Sequence, residues 1–128
     1  MTPALLRAYR RTAYAAGGAE ARIGRRSPGL DALLARHGGR AGAFVTAWNP
    51  RSRPMPPGWN RRMGAALLRH ARRLPCVPGT GAARGWREEH VLVVADPRRC
   101  AVLGRRFRQA AIALVRRGQP ARLRLLPG

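Results

Sequence analysis

A chain of 128 residues is long enough to bury a core without disulfides or metals, and 45% hydrophobic residues suits one globular domain over residues 1–128. No apolar run approaches the roughly 20 residues of a membrane-spanning helix, which excludes that class of protein. All 26 basic residues are arginine, against five acids, and the net charge of +21 calls for an anionic partner or an arginine-coated surface.

The absence of lysine, with plentiful Ala, Gly and Pro, fits the codon usage of a GC-rich genome. That usage explains arginine in place of lysine but not the scarcity of acids: none lies between Asp31 and Glu88 and none follows Asp96. Arg7, Arg10 and Arg11 stand where an export signal carries its apolar stretch, and Cys76 and Cys100 form no CxxC pair. A cytoplasmic location with two reduced thiols is therefore expected.

In chain order, Pro3 to Arg11 reads as a short helix with Leu5, Leu6 and Tyr9 on one side. Thr12 to Ala16 and Ala19 to Ile23 flank Gly17-Gly18 as a hairpin. Ser27 caps a helix that opens on Pro28, carries Leu30, Leu33 and Leu34 as its apolar stripe, and ends at Gly38. Ala41 to Trp48 reads as a strand, followed by a loop rich in Pro and Arg. Trp59 to Leu74 is an amphipathic helix with Met63, Leu67 and His70 on its apolar face. Residues 75–87 read as a loop with a short strand at Cys76-Val77. His90 to Ala95 is an apolar strand, Pro97 to Gln109 a helix, and Ala110 to Val115 with Ala121 to Leu126 a closing hairpin. The fold class is α+β: a single mixed or mainly antiparallel sheet, about three helices packed on it, and hairpins at both ends.

Pro50 forces the preceding residue into extended backbone and ends the strand at Trp48-Asn49. Six polar or aromatic residues then fall at element ends: Trp48, Asn49, Ser52, Asn60, Glu89 and Gln109. Such positions converge at one edge of a sheet, where Glu89 would be the one general base. The same residues would serve equally as a hydrogen-bonded brace between loops.

The order Y9-R10-R11-T12-A13-Y14, I23-G24, S27-P28-G29-L30-D31-A32-L33-L34, T46-A47-W48-N49-P50-R51-S52, Asn60, W86-R87-E88-E89 and F107-R108-Q109-A110-A111-I112 resembles the small bacterial proteins grouped as domain of unknown function 3293. The resemblance spans nearly the whole chain and implies that these polar positions are the ones to inspect. It implies no activity. The chain departs from the family pattern in two places: Arg108 stands where a glycine precedes the glutamine, and His90-Val91 follows Glu89 where a small hydroxyl residue is expected.

His37 reads as a helix C-cap, His70 as a core histidine and His90 as a strand opener. With Cys76 and Cys100 they show no metal-ligand spacing, so neither a metal nor another cofactor is expected. Gly79-Thr80-Gly81 is too short for a phosphate loop. For nucleic acid two arginine surfaces compete: the helix face of Arg61, Arg62, Arg69, Arg72 and Arg73, and the C-terminal unit with Arg105, Arg106, Arg116 and Arg117. No aromatic residue is interleaved with either, so contact with RNA or DNA would be electrostatic and weakly sequence-selective. Two readings follow: a module with a polyanion-contacting basic surface, or a small-molecule binding protein or enzyme using the polar sheet edge.

Overall fold

Three of the four helices start in the same way. Thr2, Ser27 and Asp96 each accept a hydrogen bond from a backbone N–H three residues on (Leu5, Leu30 and Arg99, at 3.1, 3.2 and 3.0 Å), with proline in the first turn. These caps satisfy otherwise orphaned donors and define α1 (Pro3–Arg11), α2 (Pro28–Arg36) and α4 (Pro97–Arg106). The fourth, α3 (Pro57–Ala71), opens on Pro56-Pro57 without a side-chain cap. The structure is a computed structural model and describes residues 1–127. None of the described helices is long and apolar enough to cross a membrane.

The strands are β1 (Ala13–Ala16), β2 (Ala19–Ala21), β3 (Ala41–Val45), β4 (Cys76–Ala83), β5 (Trp86–Val93), β6 (Ala111–Arg116) and β7 (Arg122–Leu125). They form one sheet in the order β2-β1-β4-β5-β3-β6-β7, every neighbouring pair antiparallel. The α+β class and the terminal hairpins stand as expected from sequence. The sheet also curls until its edges meet: Ile23 bridges Ala121, the Gly24 N–H donates to the Ala121 carbonyl (2.8 Å), and the Ala121 N–H donates to the Arg25 carbonyl (3.0 Å). These contacts tie the chain just past β2 to the residue just before β7, while β2 and β7 remain the ends of the hydrogen-bonded order.

Alternation along the central strands divides the core in two. Phe44, Leu92, Tyr14 and Ala113 face into the curl, where Leu30, Leu33 and Leu34 of α2 fill the space. Val45, Val91, Val93 and Ile112 face outward and are covered by Leu67 and Ala71 of α3 and by Cys100, Ala101 and Leu103 of α4. Helix α1 contributes no fully buried residue to either core.

Four local readings are corrected by the structure. Residues 75–87 are mostly sheet: β4 runs to Ala83 and turns at Arg84-Gly85 into β5. Its glycines, weak strand formers, are there because neighbours crowd them. A Cβ at Gly79 would lie 2.6 Å from the Ala15 carbonyl oxygen, and one at Gly81 2.6 Å from the His90 ring. Strand β3 ends at Val45 rather than Trp48, because the Thr46 hydroxyl donates to the Glu89 carbonyl (2.6 Å) and accepts from the Trp48 N–H (3.1 Å), peeling the chain away before Pro50. Helix α4 ends at Arg106 in a Schellman motif, with the Gln109 N–H on the Gly104 carbonyl and the Arg108 N–H on the Arg105 carbonyl. Arg108 therefore holds φ +56°, as Gly38 does (φ +71°) at the end of α2. His70 is exposed, its ring 5.5 Å from that of Phe107, rather than in the core.

Candidate functional site

Leaving β3, the chain passes through three non-glycine residues in left-handed conformation, Asn49 (φ +47°), Arg51 (φ +53°) and Ser52 (φ +62°), so Asn49 does not take the extended backbone expected of the residue before Pro50. Asparagine tolerates this region better than most residues, and the fold anchors it firmly. The Asn49 N–H donates to Asn60 Oδ1 (3.0 Å), while Asn49 Oδ1 accepts from Asn60 Nδ2 (3.0 Å) and from the Met55 N–H (2.9 Å). Asn60, in the first turn of α3, is buried. The two asparagines lock the loop over residues 49–55 to α3.

The fourth contact points the other way: Asn49 Nδ2 donates to Glu88 Oε2 at 2.6 Å. Glu88 lies on β5 above His90 and Leu92, on the face enclosed by the curl, at the mouth of a cavity of about 340 Å³. Leu5, Ala8 and Tyr9 of α1 form one wall, and Asn49, Ser52 and Pro54 a second. Trp86, Arg87 and Glu88 form the third, and Gln109 completes the lining. Gln109 is itself buried, and its Nε2 donates to the carbonyls of Trp48 (3.0 Å) and Phe107 (3.2 Å). Its Oε1 receives no donor from a described residue. Asn49 and Gln109, 60 residues apart in sequence, thus reach the same cavity.

Burial raises the Glu88 carboxyl above its ordinary range, and the Asn49 amide partly opposes that. Burial likewise raises the Tyr9 phenol; a hydrogen bond with the Ser52 side chain lowers it and the Glu88 charge raises it further. Beneath Glu88 the His90 imidazole is packed edge-on against Tyr14 (centroids 5.6 Å apart), with Nδ1 3.3 Å from the Glu88 carbonyl oxygen. Burial lowers its pKa to about 4, against a small upward pull from that carbonyl, so it is a neutral filler at neutral pH.

Of the six sequence candidates, Asn49, Ser52 and Gln109 line the cavity; Asn60 braces it from behind. Trp48 packs on α3 beside Gly64, and its indole N–H has no partner among the described residues. Glu89 must be replaced by Glu88. Glu89 shares its strand face with Val91 and Val93 and is exposed, whereas Glu88 shares its face with His90 and Leu92. The period-two alternation of the apolar residues that follow held this information. Tyr9 and Trp86 were missed as site residues, although both stand in the motif segments.

The arginines are spread more widely. Arg61, Arg62 and Arg69 on α3, Arg72 and Arg73 in the turn that ends it, and Arg98, Arg99, Arg105 and Arg106 on α4 are exposed on the layer that covers the outer sheet face. The acid on that layer, Asp96, is engaged as the α4 cap. Arg116 and Arg117 sit instead at the β6–β7 turn with Arg40 and Asp31. Arg7, Arg10 and Arg11 are on α1. The cationic surface is a coat, densest on α3 and α4.

Together these features define a small α+β protein with a curled antiparallel sheet and, beside α1, a largely apolar cavity that carries a few polar groups. The chain belongs to the family described as Protein of unknown function (DUF3293), whose model matches residues 45–112, just over half of the chain. The matched segment contains Asn49, Ser52, Asn60, Glu88 and Gln109, while Tyr9 lies outside it. No curated protein and no solved structure matches the chain.

Proposed function

We propose that this protein binds a small polar molecule in the cavity beneath α1, with Glu88 as the anchoring acceptor. One observation carries this reading. In a chain with 26 arginines, one of them, Arg87, lining the same cavity, a half-buried carboxylate is bonded to an asparagine amide and makes no ion pair among the described residues. A carboxylate held away from water without a cation is unfavourable for the fold alone, and such groups cluster at ligand sites. The asparagine pair is satisfied internally and reads as a brace. Glu88 Oε1, Gln109 Oε1 and the Tyr9–Ser52 hydroxyls keep unused hydrogen-bonding capacity and face a ligand. Glu88, raised by burial, is also the group there best suited to take a proton from a bound molecule.

Ligand-observed NMR on mixtures of single amines, amino acids, sugars and nucleosides tests this. Compounds that bind the wild type should lose their signal with Glu88→Gln, which keeps the side chain's size. If every binder engages both proteins equally, the cavity is not the site.

A second reading, a polyanion-contacting surface, is favoured by the arginine layer of α3 and α4. On this reading, affinity for single-stranded RNA falls steeply, by on the order of 10³ between about 50 and 200 mM salt if six or more phosphates are neutralised. An affinity nearly constant over that range removes it.

A further inference from the structure

The cavity holding Glu88 has a neighbour. A second cavity, of about 470 Å³, lies on the other side of Leu5 and Gln109, which line both. Its lining carries three arginines, Arg51, Arg105 and Arg108, and no acid, whereas the first pairs one arginine, Arg87, with Glu88. Under one helix the protein thus sets acceptors, chiefly Glu88 Oε1 and Gln109 Oε1, beside guanidinium donors.

We propose that the ligand is a nucleotide lying across both cavities, with the donor edge of its base on Glu88 and its phosphate on Arg105 and Arg108. This rests on the reading of the Glu88 cavity as a ligand site. Arg87 lines the same cavity but makes no ion pair with Glu88 among the described residues, so these acceptors are left to select a group rich in N–H donors. A free organic cation would meet those acceptors too, but a chain of +21 repels it, whereas the same field draws in a donor-bearing base attached to a phosphate. The ring of Trp86, 40% exposed, and that of Tyr9 line the base side and offer the stacking surface that unpaired bases use. Guanine fits the carboxylate best, because its ring N–H and amino group form an adjacent donor pair that two carboxylate oxygens accept together. Asn49 already occupies one lone pair of Oε2 and holds the carboxylate in place for that contact.

Isothermal titration with GMP, IMP and inorganic phosphate tests the assignment. IMP is the same molecule without the amino group. GMP should bind wild-type protein about tenfold or more tighter than IMP, the size expected of one bidentate base contact. Glu88→Gln, whose amide replaces one acceptor by a donor, should bring the two within a factor of about two. Arg108→Gly relaxes a left-handed backbone and leaves the fold intact. It should weaken both nucleotides about equally and keep their ratio. Equal binding of GMP and IMP, or phosphate binding as tightly as GMP, overturns the base assignment. If neither nucleotide binds while some other compound binds in a Glu88-dependent way, the nucleotide is wrong and the cavity reading stands. If nothing binds in a Glu88-dependent way, both fall.

Discussion

Asn49→Ala destabilises the protein by about 2–4 kcal/mol, the cost of leaving several part-buried polar groups without partners. The alanine removes the acceptor for the Met55 N–H and for Asn60 Nδ2, and the donor to Glu88. It also places a Cβ-bearing residue without a compensating side-chain bond at φ +47°. Asn60→Ala breaks the same bridge from the other side, so the two changes overlap. In a double-mutant cycle followed by urea unfolding, the pair costs less than the sum of the singles by about 1–2 kcal/mol. An Asn49→Ala protein within about 0.5 kcal/mol of wild type, the range of neutral surface changes, contradicts the bridge. The cycle separates two roles that the sequence left merged. The asparagines position the loop, and on the proposed reading the contact with ligand falls to Glu88 and its neighbours.

The second large effect is on acid stability. An unfolded histidine titrates near 6.5, whereas His90 in the fold is held at about 4 by burial. Between those values the unfolded chain binds more protons than the folded one. The stability contributed by a neutral His90 is therefore complete above the unfolded value and lost as pH falls toward the folded one. The loss is about 3 kcal/mol over that window. Glu88 acts in the opposite sense: its raised carboxyl binds a proton earlier in the folded state, so acidification relieves some of its burial cost. His90→Phe isolates the histidine term, since a phenyl ring keeps the edge-on contact with Tyr14 and the slot left by Gly81. Urea midpoints measured from pH 7 to 4 should fall more steeply for wild type than for the variant. Parallel curves mean that His90 is not buried in its neutral form.

Much of the framework was legible in local chemistry. Ser27-Pro28 and Asp96-Pro97 mark helix starts, because a side-chain acceptor before a proline that opens a helical pattern can cap the first turn. The hairpins follow from Gly17-Gly18 and from the turn around Gly118. Strand β4 was not legible. Pro78, Gly79 and Gly81 argue locally for a loop, and the reasons for glycine there lie in residues distant in sequence, the Ala15 carbonyl and the His90 ring. Closure of the sheet at Ile23 and Ala121 is likewise a tertiary event without a local signal.

The site divides in the same way. Asn49, Ser52 and Gln109 were visible as polar residues at element ends, and the structure brings them together. Tyr9 was read as part of an apolar helix stripe, since its spacing from Leu5 carries no sign that α1 would cover a polar cavity. Between Glu88 and Glu89 the choice turned on strand parity. Val91 and Val93 mark one face and Leu92 the other, but which face is enclosed depends on where α2 packs. The arginine coat remained ambiguous for a similar reason, since composition fixes the number of charges and not their distribution over the fold.

The central claim is that Glu88 anchors a small polar ligand. The most direct measurement is mass spectrometry of the molecules released from protein purified under non-denaturing conditions, comparing wild type with Glu88→Gln. The account predicts a released compound that is present with the wild type and lost with the variant, while both proteins stay folded. The same set of molecules from both would contradict it.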